Sequence, residues 1–350
     1  MHEFWSTQPV PNDKINYHKD GEIDASRNRN IKSIILPDGY VWSCCSLQEL
    51  YPFLLKHYIS GDVFDFAYSK DMIIWSLYAP GFKEYWHIAI REESSGKLAA
   101  FISGVPLHIR VIDNEIPVTQ VNFLCVRKDL RTMGFAPLLI REITRRSNIY
   151  NVWQAVYTAS ICIPTPVCQV DYWHRLLNVE KLNRLGFSDT DESKHMLRGK
   201  THLRKMTDED VSYVTKLFKE HTSSFKIAPV VNEEYVRYWL LPREGILYSY
   251  IDKDKDKFVS FYSVPLVHRE TEEIIHQAYI FYMVGDSLND AAHLAKKEGF
   301  DMLNCTNAGI RNSELLKNAF CMGDGMNHYY LYNWATQDRI SREDICLTII

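Results

Sequence analysis

The feature of the sequence that most restricts the fold is an internal repeat of three segments in the same order. Lys97–Leu107 (KLAAFISGVPL) and Lys257–Leu266 (KFVSFYSVPL) are nearly the same string. Each is followed by a second strand-like run and then by a helical pattern. These segments are 119–126 and 136–146 in the first copy, and 276–284 and 290–299 in the second. Three matching elements predict a duplicated strand–strand–helix unit, and therefore an α/β (α+β) fold with two similar halves.

A boundary between the halves is predicted from length and local composition. The chain has 350 residues, more than one hydrophobic core usually supports. A charged, irregular stretch at 188–208 lies between the two copies and is the natural place for a boundary. We therefore predict an N-terminal half at 1–195 and a C-terminal half at 196–350.

Composition disfavours several classes of protein. The net charge of −4 provides no overall positive field, so nucleic acid is not an expected partner. The eight cysteines include no C-x-x-C spacing and no H-E-x-x-H motif occurs, so we expect reduced thiols and no metal. The chain lacks the basic start and apolar run of a signal peptide, and its longest uncharged stretch, 147–170, contains prolines and amides. We expect a cytoplasmic monomer without stable membrane insertion.

The two copies differ at the turn between the second strand and the helix. In the first copy, 127–146 holds six basic and two acidic residues, a local charge of +4. Gly134 allows an unusual backbone conformation, and Pro137 suits the first turn of a helix. The second copy has Gly285–Asn289 (GDSLN), without a basic residue. The first turn is therefore predicted to hold phosphate at a helix N-terminus, although an ordinary basic loop capping a helix is the alternative.

The turn R-x-x-G-x-A at 131–136 resembles the pyrophosphate loop of the GCN5-related acyl-CoA transferase superfamily, and Arg184–Phe187 resembles its last-strand motif. Longer strings, spread in order over nearly the whole chain, resemble the N-myristoyltransferase family of glycylpeptide N-tetradecanoyltransferases. They are 3–10 (EFWSTQPV), 122–126 (NFLCV), 136–146, 154–159 (QAVYTA), 172–178 (YWHRLLN) and 323–334 (GDGMNHYYLYNW). This resemblance implies two fused GCN5-related acyltransferase-like halves with pseudo-twofold symmetry around mixed, largely antiparallel sheets.

The resemblance also implies a reaction: myristate moves from myristoyl-CoA to the α-amino group of an N-terminal glycine in peptides and nascent proteins. Developing oxyanion charge would be held by the backbone N–H groups of Phe123 and Leu124. The attacking amine supplies the nucleophile, so the base would be the C-terminal carboxylate, here that of Ile350. Asn122 and Thr158 would orient the amine. The N-terminal half would bind acyl-CoA, and the C-terminal half would contribute the peptide site and the carboxylate.

Two further sets of residues follow from the resemblance. The myristoyl-CoA contacts map onto Phe4, Trp5, Cys125, Val126, Arg127, Lys128, Arg131, Thr132, Met133, Gly134, Phe135, Ala136 and Pro137. The peptide contacts map onto Phe64, Phe66, Tyr68, Tyr172, His174, Ser260, Asp324 and Gly325. The chain departs from the family pattern at Met133 and Gly134, where Lys and Arg are usual, and the acidic cluster near Asp62 is thin.

Two alternatives share parts of this pattern. An N-acetyltransferase of the same superfamily would keep the phosphate loop but would not require the C-terminal carboxylate. A non-catalytic module that binds acyl-CoA or a lipidated peptide would keep binding when that carboxylate is blocked. A nucleic-acid protein is disfavoured because the +4 patch is local and lacks interleaved aromatic residues.

Overall fold

The computed structural model describes residues 3–12, 14–27, 32, 34–58 and 61–350. Its strands β1 to β16 are Tyr40–Ser43, Phe64–Phe66, His87–Glu92, Leu98–Val111, Asn114–Val126, Gln154–Ala159, Cys168–Leu176, Arg204–Lys205, Ile227–Pro229, Leu247–Asp252, Lys257–Ser263, Leu266–His268, Ile274–Ile275, Gln277–Val284, Met302–Thr306 and Cys321–Tyr332. Its helices α1 to α8 are Leu47–His57, Lys70–Leu77, Phe135–Ile149, Val179–Arg184, Val211–Thr222, Glu233–Trp239, Leu288–Lys297 and Asn312–Lys317.

One large mixed sheet runs through both halves. Its thirteen strands follow the order β1-β3-β4-β5-β6-β16-β7-β15-β14-β11-β10-β8, and β9 pairs with β4. The series β3-β4-β5-β6 on one side has the same pairing as β10-β11-β14-β15 on the other, with a single parallel pair in each, β5–β6 and β14–β15. The predicted α/β fold with two similar halves is confirmed, and the repeated segments form β4, β5 and α3 in one half and β11, β14 and α7 in the other.

The centre of the sheet is made by an exchange of strands. Strand β7 follows β6 in the chain, but it pairs with β15 of the other half. Strand β16 follows β15 and α8, but it pairs with β6 of the first half. The two exchanged strands also pair with each other. Each half therefore completes the sheet of the other, although the boundary at 195/196 stays a prediction.

Both parallel pairs are short, and the strands then separate. Strands β5 and β6 pair only from Val118–Gln120 to Gln154–Val156. Strands β14 and β15 pair only from Gln277–Tyr279 to Met302–Asn304. Beyond these registers the two strands of each pair are no longer hydrogen-bonded to each other, which leaves backbone groups available for other partners.

Helix α3 covers the first half because its apolar residues recur at helical spacing. Phe135, Leu139 and Ile143 are buried against β3 and β4. Gly134, at the start of the helix, has a φ of +75°, a conformation that glycine adopts without strain. Helix α7 covers the second half in the same way with a small-residue face around Ala291. No helix in the described ranges is long and apolar enough to cross a membrane.

A second, three-stranded sheet joins the halves near the cleft. Strand β2 pairs with β12, and β12 with β13. Phe66 is opposite Leu266, and the next backbone N–H, that of Ala67, donates to the Pro265 carbonyl (2.8 Å). Because β2 comes from the N-terminal half, this pairing holds its aromatic residues against the C-terminal half.

Candidate active site

A cavity of about 1370 Å³ occupies the cleft between β5 and β6 and extends along α3. It is lined by residues of both halves, and most of the residues predicted from the sequence are among them. Those residues are Phe4, Trp5, Phe66, Tyr68, Asn122, Phe123, Leu124, Arg131, Thr132, Gly134, Ala136, Pro137, Thr158, Tyr172, His174, Asp324, Gly325 and Ile350. The fold thus brings distant parts of the sequence to one site.

A β-bulge lies on the wall of the cavity. Phe101 pairs with Cys125 and Ser103 with Asn122, so two residues of β5, Phe123 and Leu124, stand opposite one residue of β4. Phe123 has a φ of +50°, which is unusual for a residue with a side chain. A bulge interrupts the regular ladder, and β6 has already separated from β5 at this level. Two consecutive backbone N–H groups can therefore serve an oxygen in the cavity.

The turn before α3 forms a basic rim at another end of the cavity. Lys128–Met133 is a 3₁₀ turn that leads into Gly134 and the N-terminus of α3. Arg131, exposed on this turn, donates from Nη2 to the His57 carbonyl (2.8 Å). This arrangement combines the N–H groups of a helix N-terminus with a guanidinium, which is suited to phosphate.

Arg127 of the same turn has a different role. Its guanidinium bonds Glu92 (2.5 Å) and Asp129 (2.8 Å), and these two carboxylates raise the pKa of Arg127 further above its usual value. The turn is thus braced against β3 by ion pairs. Because Arg127 is committed to two carboxylates, the positive charge that faces the cavity is that of Arg131.

The C-terminal segment is held inside the molecule at successive residues. Cys346 N–H donates to the Ile227 carbonyl (2.8 Å), and the Tyr329 hydroxyl donates to the Leu347 carbonyl (2.6 Å). Thr348 donates from Oγ1 to the Phe281 carbonyl (2.7 Å). The segment then reaches the cavity, which Ile350 lines.

Strand β5 places polar groups beside this segment. Ile116 and Val118 pack in one cluster with Ile345 and Leu347. Because alternate residues of a strand share a face, Gln120 and Asn122 continue this face toward the cavity. Both are buried, and Gln120 Nε2 donates to Asn122 Oδ1 (3.3 Å).

The other end of the Asn122 amide is unused. Among the described residues, Asn122 Nδ2 has no hydrogen-bond partner although its side chain is buried and lines the cavity. A buried amide without a partner costs about 1–3 kcal/mol. A ligand that accepts this hydrogen bond would recover that cost.

His174 is held in one tautomer by residues of the second half. Asn304 Nδ2 donates to Gln277 Oε1 (2.7 Å), so Asn304 Oδ1 is the acceptor for His174 Nδ1–H (2.7 Å). Burial lowers the pKa of His174 below its usual value, against the opposing effects of Asn304 and the Asp324 carboxylate. The neutral ring therefore keeps a lone pair on Nε2.

Aromatic side chains form the wall nearest β2. Phe66 and Tyr68 stack with ring centroids 5.9 Å apart, and Tyr68 meets Phe123 edge to face at 6.1 Å. Burial raises the pKa of Tyr58 to about 12, and that of Tyr68 well above its usual value. These phenols stay neutral, so the wall offers apolar faces and hydroxyl groups without charge.

Some predicted residues, all in the described part of the chain, lie outside the cavity lining. They are Phe64, Cys125, Val126, Arg127, Lys128, Met133, Phe135 and Ser260. Phe135 is core and packs on the Tyr40 ring (4.7 Å between centroids). Ser260 is fully buried in the second half, where its Oγ lies 3.2 Å from the donating Tyr282 N–H. Their roles as ligand contacts stay predictions.

Other lining residues were missed by the sequence analysis. Ile140, Ile143, Thr144, Ser147 and Asn148 line the cavity from α3. Their spacing of three and four residues marks one face of a helix, and this pattern is visible in the sequence. It looks like a core-facing stripe, because nothing in the sequence tells which buried face borders a cavity.

The described residues include no group of three or more His, Cys, Asp or Glu side chains that could hold a metal ion. The groups that line the cavity are backbone donors, neutral amides and hydroxyls, the His174 imidazole, the Asp324 carboxylate, one basic rim and the C-terminal segment.

Two protein-family models match consecutive parts of the chain. Residues 22–170 match the family model described as "Myristoyl-CoA:protein N-myristoyltransferase, N-terminal domain". Residues 191–346 match the model described as "Myristoyl-CoA:protein N-myristoyltransferase, C-terminal domain".

Two similar proteins illustrate the range of relatives. The chain is 38% identical to glycylpeptide N-tetradecanoyltransferase 2 of Danio rerio, over 95% of this chain and 74% of the relative. It is 36% identical to glycylpeptide N-tetradecanoyltransferase 1 of Arabidopsis thaliana, over 100% of this chain and 89% of the relative.

Two solved structures resemble this chain in fold. Saccharomyces cerevisiae N-myristoyltransferase with bound myristoyl-CoA superposes with a TM-score of 0.90 at 29% identity, over 97% of this chain and 94% of that one. A GCN5-related N-acetyltransferase from Anabaena variabilis has a TM-score of 0.52 at 12% identity, over 83% of this chain and 72% of that one. The second likeness concerns the fold alone.

Proposed function

The chain belongs to the myristoyl-CoA:protein N-myristoyltransferase family and is an acyltransferase of that type, and we propose that it moves myristate from myristoyl-CoA to the α-amino group of an N-terminal glycine. In this proposal 1–195 binds the acyl donor, and 196–350 contributes to the peptide site and supplies the base. The observation that carries the proposal is the β-bulge at Phe123–Leu124, which opens into the same cavity that Ile350 lines.

The oxyanion is stabilised by backbone donors. The amine nitrogen bonds to the thioester carbon, and the carbonyl oxygen takes negative charge. The N–H groups of Phe123 and Leu124 donate to that oxygen. The β-bulge interrupts the regular strand pairing at these two residues, on the wall of the cavity. The C–S bond then breaks, and the CoA thiolate leaves and takes up the second proton that the attacking nitrogen loses as it becomes the amide. One such donor contributes about 10²–10³ in kcat in other enzymes.

The base is the carboxylate of Ile350. An α-amino group has a pKa of about 7.7–8.0, so a proton must leave the ammonium before nitrogen attacks. The segment that ends at Ile350 runs along the face of β5 that carries Gln120 and Asn122. The proton passes from the amine to this carboxylate, with Asn122 and Thr158 holding the amine in line.

The donor binds by its phosphates and its acyl chain. Arg131, Thr132 and the N–H groups after Gly134 hold the phosphates at the start of α3. Phe4 and Trp5 contribute the apolar surface of the N-terminal segment, where Trp5 stacks on Tyr157 (6.2 Å). Five further residues support this site from behind or beside the lining: Cys125, Val126, Lys128, Met133 and Phe135.

The peptide binds against the aromatic wall and His174. Phe66, Tyr68 and Tyr172 flank the first residues, and His174 Nε2 accepts a hydrogen bond from a hydroxyl-bearing residue further along. A Cβ on Gly323 would lie 2.2 Å from His174 Nε2, so a glycine is needed there for the ring to keep its place. Asp324 and Gly325 complete this side of the site.

The proposal is tested by mass spectrometry of an octapeptide that begins Gly-x-x-x-Ser, after incubation with the protein and myristoyl-CoA. The expected result is a gain of one myristoyl group in place of one hydrogen. A peptide that begins with alanine and a reaction with acetyl-CoA run in parallel and should show no gain. Transfer from acetyl-CoA but not from myristoyl-CoA would favour an N-acetyltransferase. Donor binding without any transfer would favour a binding module.

A further inference from the structure

The surroundings of strand β5 change just after Gln120. In the described registers, Gln120 is the last residue of β5 that has strand partners on both sides, Val105 of β4 and Val156 of β6. Two residues further on, Asn122 is still paired with Ser103 of β4, but its register no longer includes β6. The backbone of Gln120 is therefore held on both sides, while Asn122 lies where the cavity begins.

The side chains of Gln120 and Asn122 lie on the same face of the strand and bond to each other. Alternate residues of a strand share a face, and Gln120 Nε2 donates to Asn122 Oδ1 (3.3 Å). Gln120 is 4% exposed and Asn122 is 5% exposed. Of these two described residues, Asn122 lines the cavity and Gln120 does not. Gln120 can therefore influence a ligand through Asn122.

This hydrogen bond decides which end of the Asn122 amide meets the cavity. A primary amide has an oxygen that accepts hydrogen bonds and an NH₂ group that donates them. The oxygen is occupied by Gln120. The nitrogen, Nδ2, is buried and has no partner among the residues that the structure describes. The cavity therefore meets a donor at this place, and the group that satisfies it must be an acceptor.

We propose that Gln120 is a positioning residue, which turns the N–H end of Asn122 toward the carbonyl oxygen of the N-terminal glycine of the peptide. This proposal rests on the proposed function and refines how Asn122 acts in it. An α-ammonium group offers only donors, so it is not the partner of an N–H group. The carbonyl of the same glycine is the acceptor nearest the amine, because its carbon is bonded to the Cα that carries the amine. Asn122 then holds the amine in line through that carbonyl and leaves the amine protons to the Ile350 carboxylate.

The test compares myristate transfer to two glycine peptides, using the full chain. The peptides differ in the first carbonyl, which has oxygen in one and sulfur, a weaker acceptor, in the other. The measured quantity is the ratio of kcat/KM for the oxygen peptide to kcat/KM for the sulfur peptide. Asn122→Ala should lower this ratio roughly 2–10-fold, the usual contribution of one hydrogen bond between neutral groups. The larger size of sulfur affects the variant and the unmodified chain alike.

Two substitutions of Gln120 test its role. Gln120→Leu removes the donor that fixes Asn122 and should lower the ratio at least about twofold, with unchanged affinity for myristoyl-CoA. Gln120→Glu, assayed at pH 8, offers acceptors to Asn122 in place of the donor, so it should turn the amide round and lower the ratio as well. In an Asn122→Ala background, Gln120→Leu should change the ratio no further, since Gln120 acts through Asn122. Because both peptides meet the same folded fraction, the ratio is unaffected by partial unfolding.

Ser103→Ala is the matched control. Ser103 Oγ donates to the backbone carbonyl of Asn122 (2.8 Å), so this variant loses a bond to the same residue but not to its amide. It should be less stable but keep the ratio of the unmodified chain. An unchanged ratio in both Gln120 variants, while transfer continues, would overturn the positioning role and assign Asn122 Nδ2 to another acceptor. Absence of transfer to either peptide by the unmodified chain would overturn the proposed function itself, and this inference with it.

Discussion

The two halves of the molecule carry the same bulge at equivalent places, but the bulges have different partners. In β5 the extra residue is at Phe123–Leu124, and the register of β14 shifts in the same way between Ile280 and Tyr282. The first bulge faces the cavity. At the second, the Phe281 carbonyl accepts a hydrogen bond from Thr348. One copy of the repeat therefore faces the cavity, where we propose that its N–H groups serve the substrate, while the other anchors the segment that we propose to carry the base.

The turns that follow β5 and β14 also differ between the two halves. Gly134 and Gly285 have φ values of +75° and +74°, so the backbone turns alike before each helix. In the first half the turn carries Arg131. In the second half the Lys257 ammonium donates to the Asp286 carbonyl (2.7 Å) and pairs with Asp290 (2.8 Å). An internal cation thus occupies the turn of the second half, which leaves that turn a structural role.

The largest expected effect comes from removing the proposed base. Deletion of Ile350 should lower kcat by about 10²–10⁴, the usual contribution of a general base, with little change in the affinity for myristoyl-CoA. Single-turnover kinetics and donor binding by calorimetry measure the two quantities. Ile350→Leu keeps the carboxylate and should stay active. Unchanged turnover after the deletion would remove the carboxylate from the mechanism.

The difference between the two turns predicts the next effect. Arg131→Ala should weaken binding of CoA by about 10–100-fold, because a charge-assisted hydrogen bond to phosphate contributes about 1.5–3 kcal/mol. The loss should shrink as salt is raised. Lys257→Ala, the matched change in the second half, should lower the melting temperature but leave CoA binding unchanged. Equal losses in the two variants would contradict the division of roles. Dephospho-CoA as a second ligand tests whether Arg131 contacts the 3′-phosphate.

The anchor at the second bulge predicts a smaller effect. Thr348→Val removes the hydrogen bond to the Phe281 carbonyl while keeping the shape of the side chain. Since one such bond contributes about 1 kcal/mol, kcat should fall roughly fivefold through looser placement of Ile350. Thr348→Ser should restore it. A lower melting temperature with unchanged kcat would mean that the anchor serves stability alone.

The smallest effect concerns pH and His174. Burial lowers the pKa of His174, so the folded protein binds a proton there less readily than the unfolded chain. Its contribution to stability is present above the unfolded value of about 6.5 and declines as pH falls below it. His174→Gln should therefore lose less stability than the unmodified chain between pH 7 and pH 5, measured by urea unfolding. Equal pH dependence would show that His174 is not desolvated.

The same variant tests recognition. With neutral His174, a peptide with serine at position five should have a KM a few-fold lower than its alanine counterpart at pH 7. That preference should disappear in His174→Gln. A preference that survives the substitution would place the hydroxyl elsewhere along the aromatic wall.

Much of this organisation was open to prediction from the sequence. The repeat at Lys97–Leu107 and Lys257–Leu266 predicts two similar halves because strands and helices leave local patterns of hydrophobicity. The basic turn around Arg131 predicts a phosphate rim because glycine, proline and charge act over a few residues. The family resemblance adds residues such as Phe123, whose proposed role depends on the backbone and leaves no trace in side-chain chemistry.

Tertiary structure alone decided the rest. Strands β7 and β16 each pair with a strand of the opposite half. No local pattern encodes which of two similar strands will be the partner. The hydrogen bond from Thr119 Oγ1 to Ser147 Oγ joins residues of a strand and a helix, and the tautomer of His174 depends on Asn304 from the other half. Local sequence determined the elements and their chemistry. Their meeting around one cavity was decided by long-range packing, because contacts between distant residues depend on the whole fold.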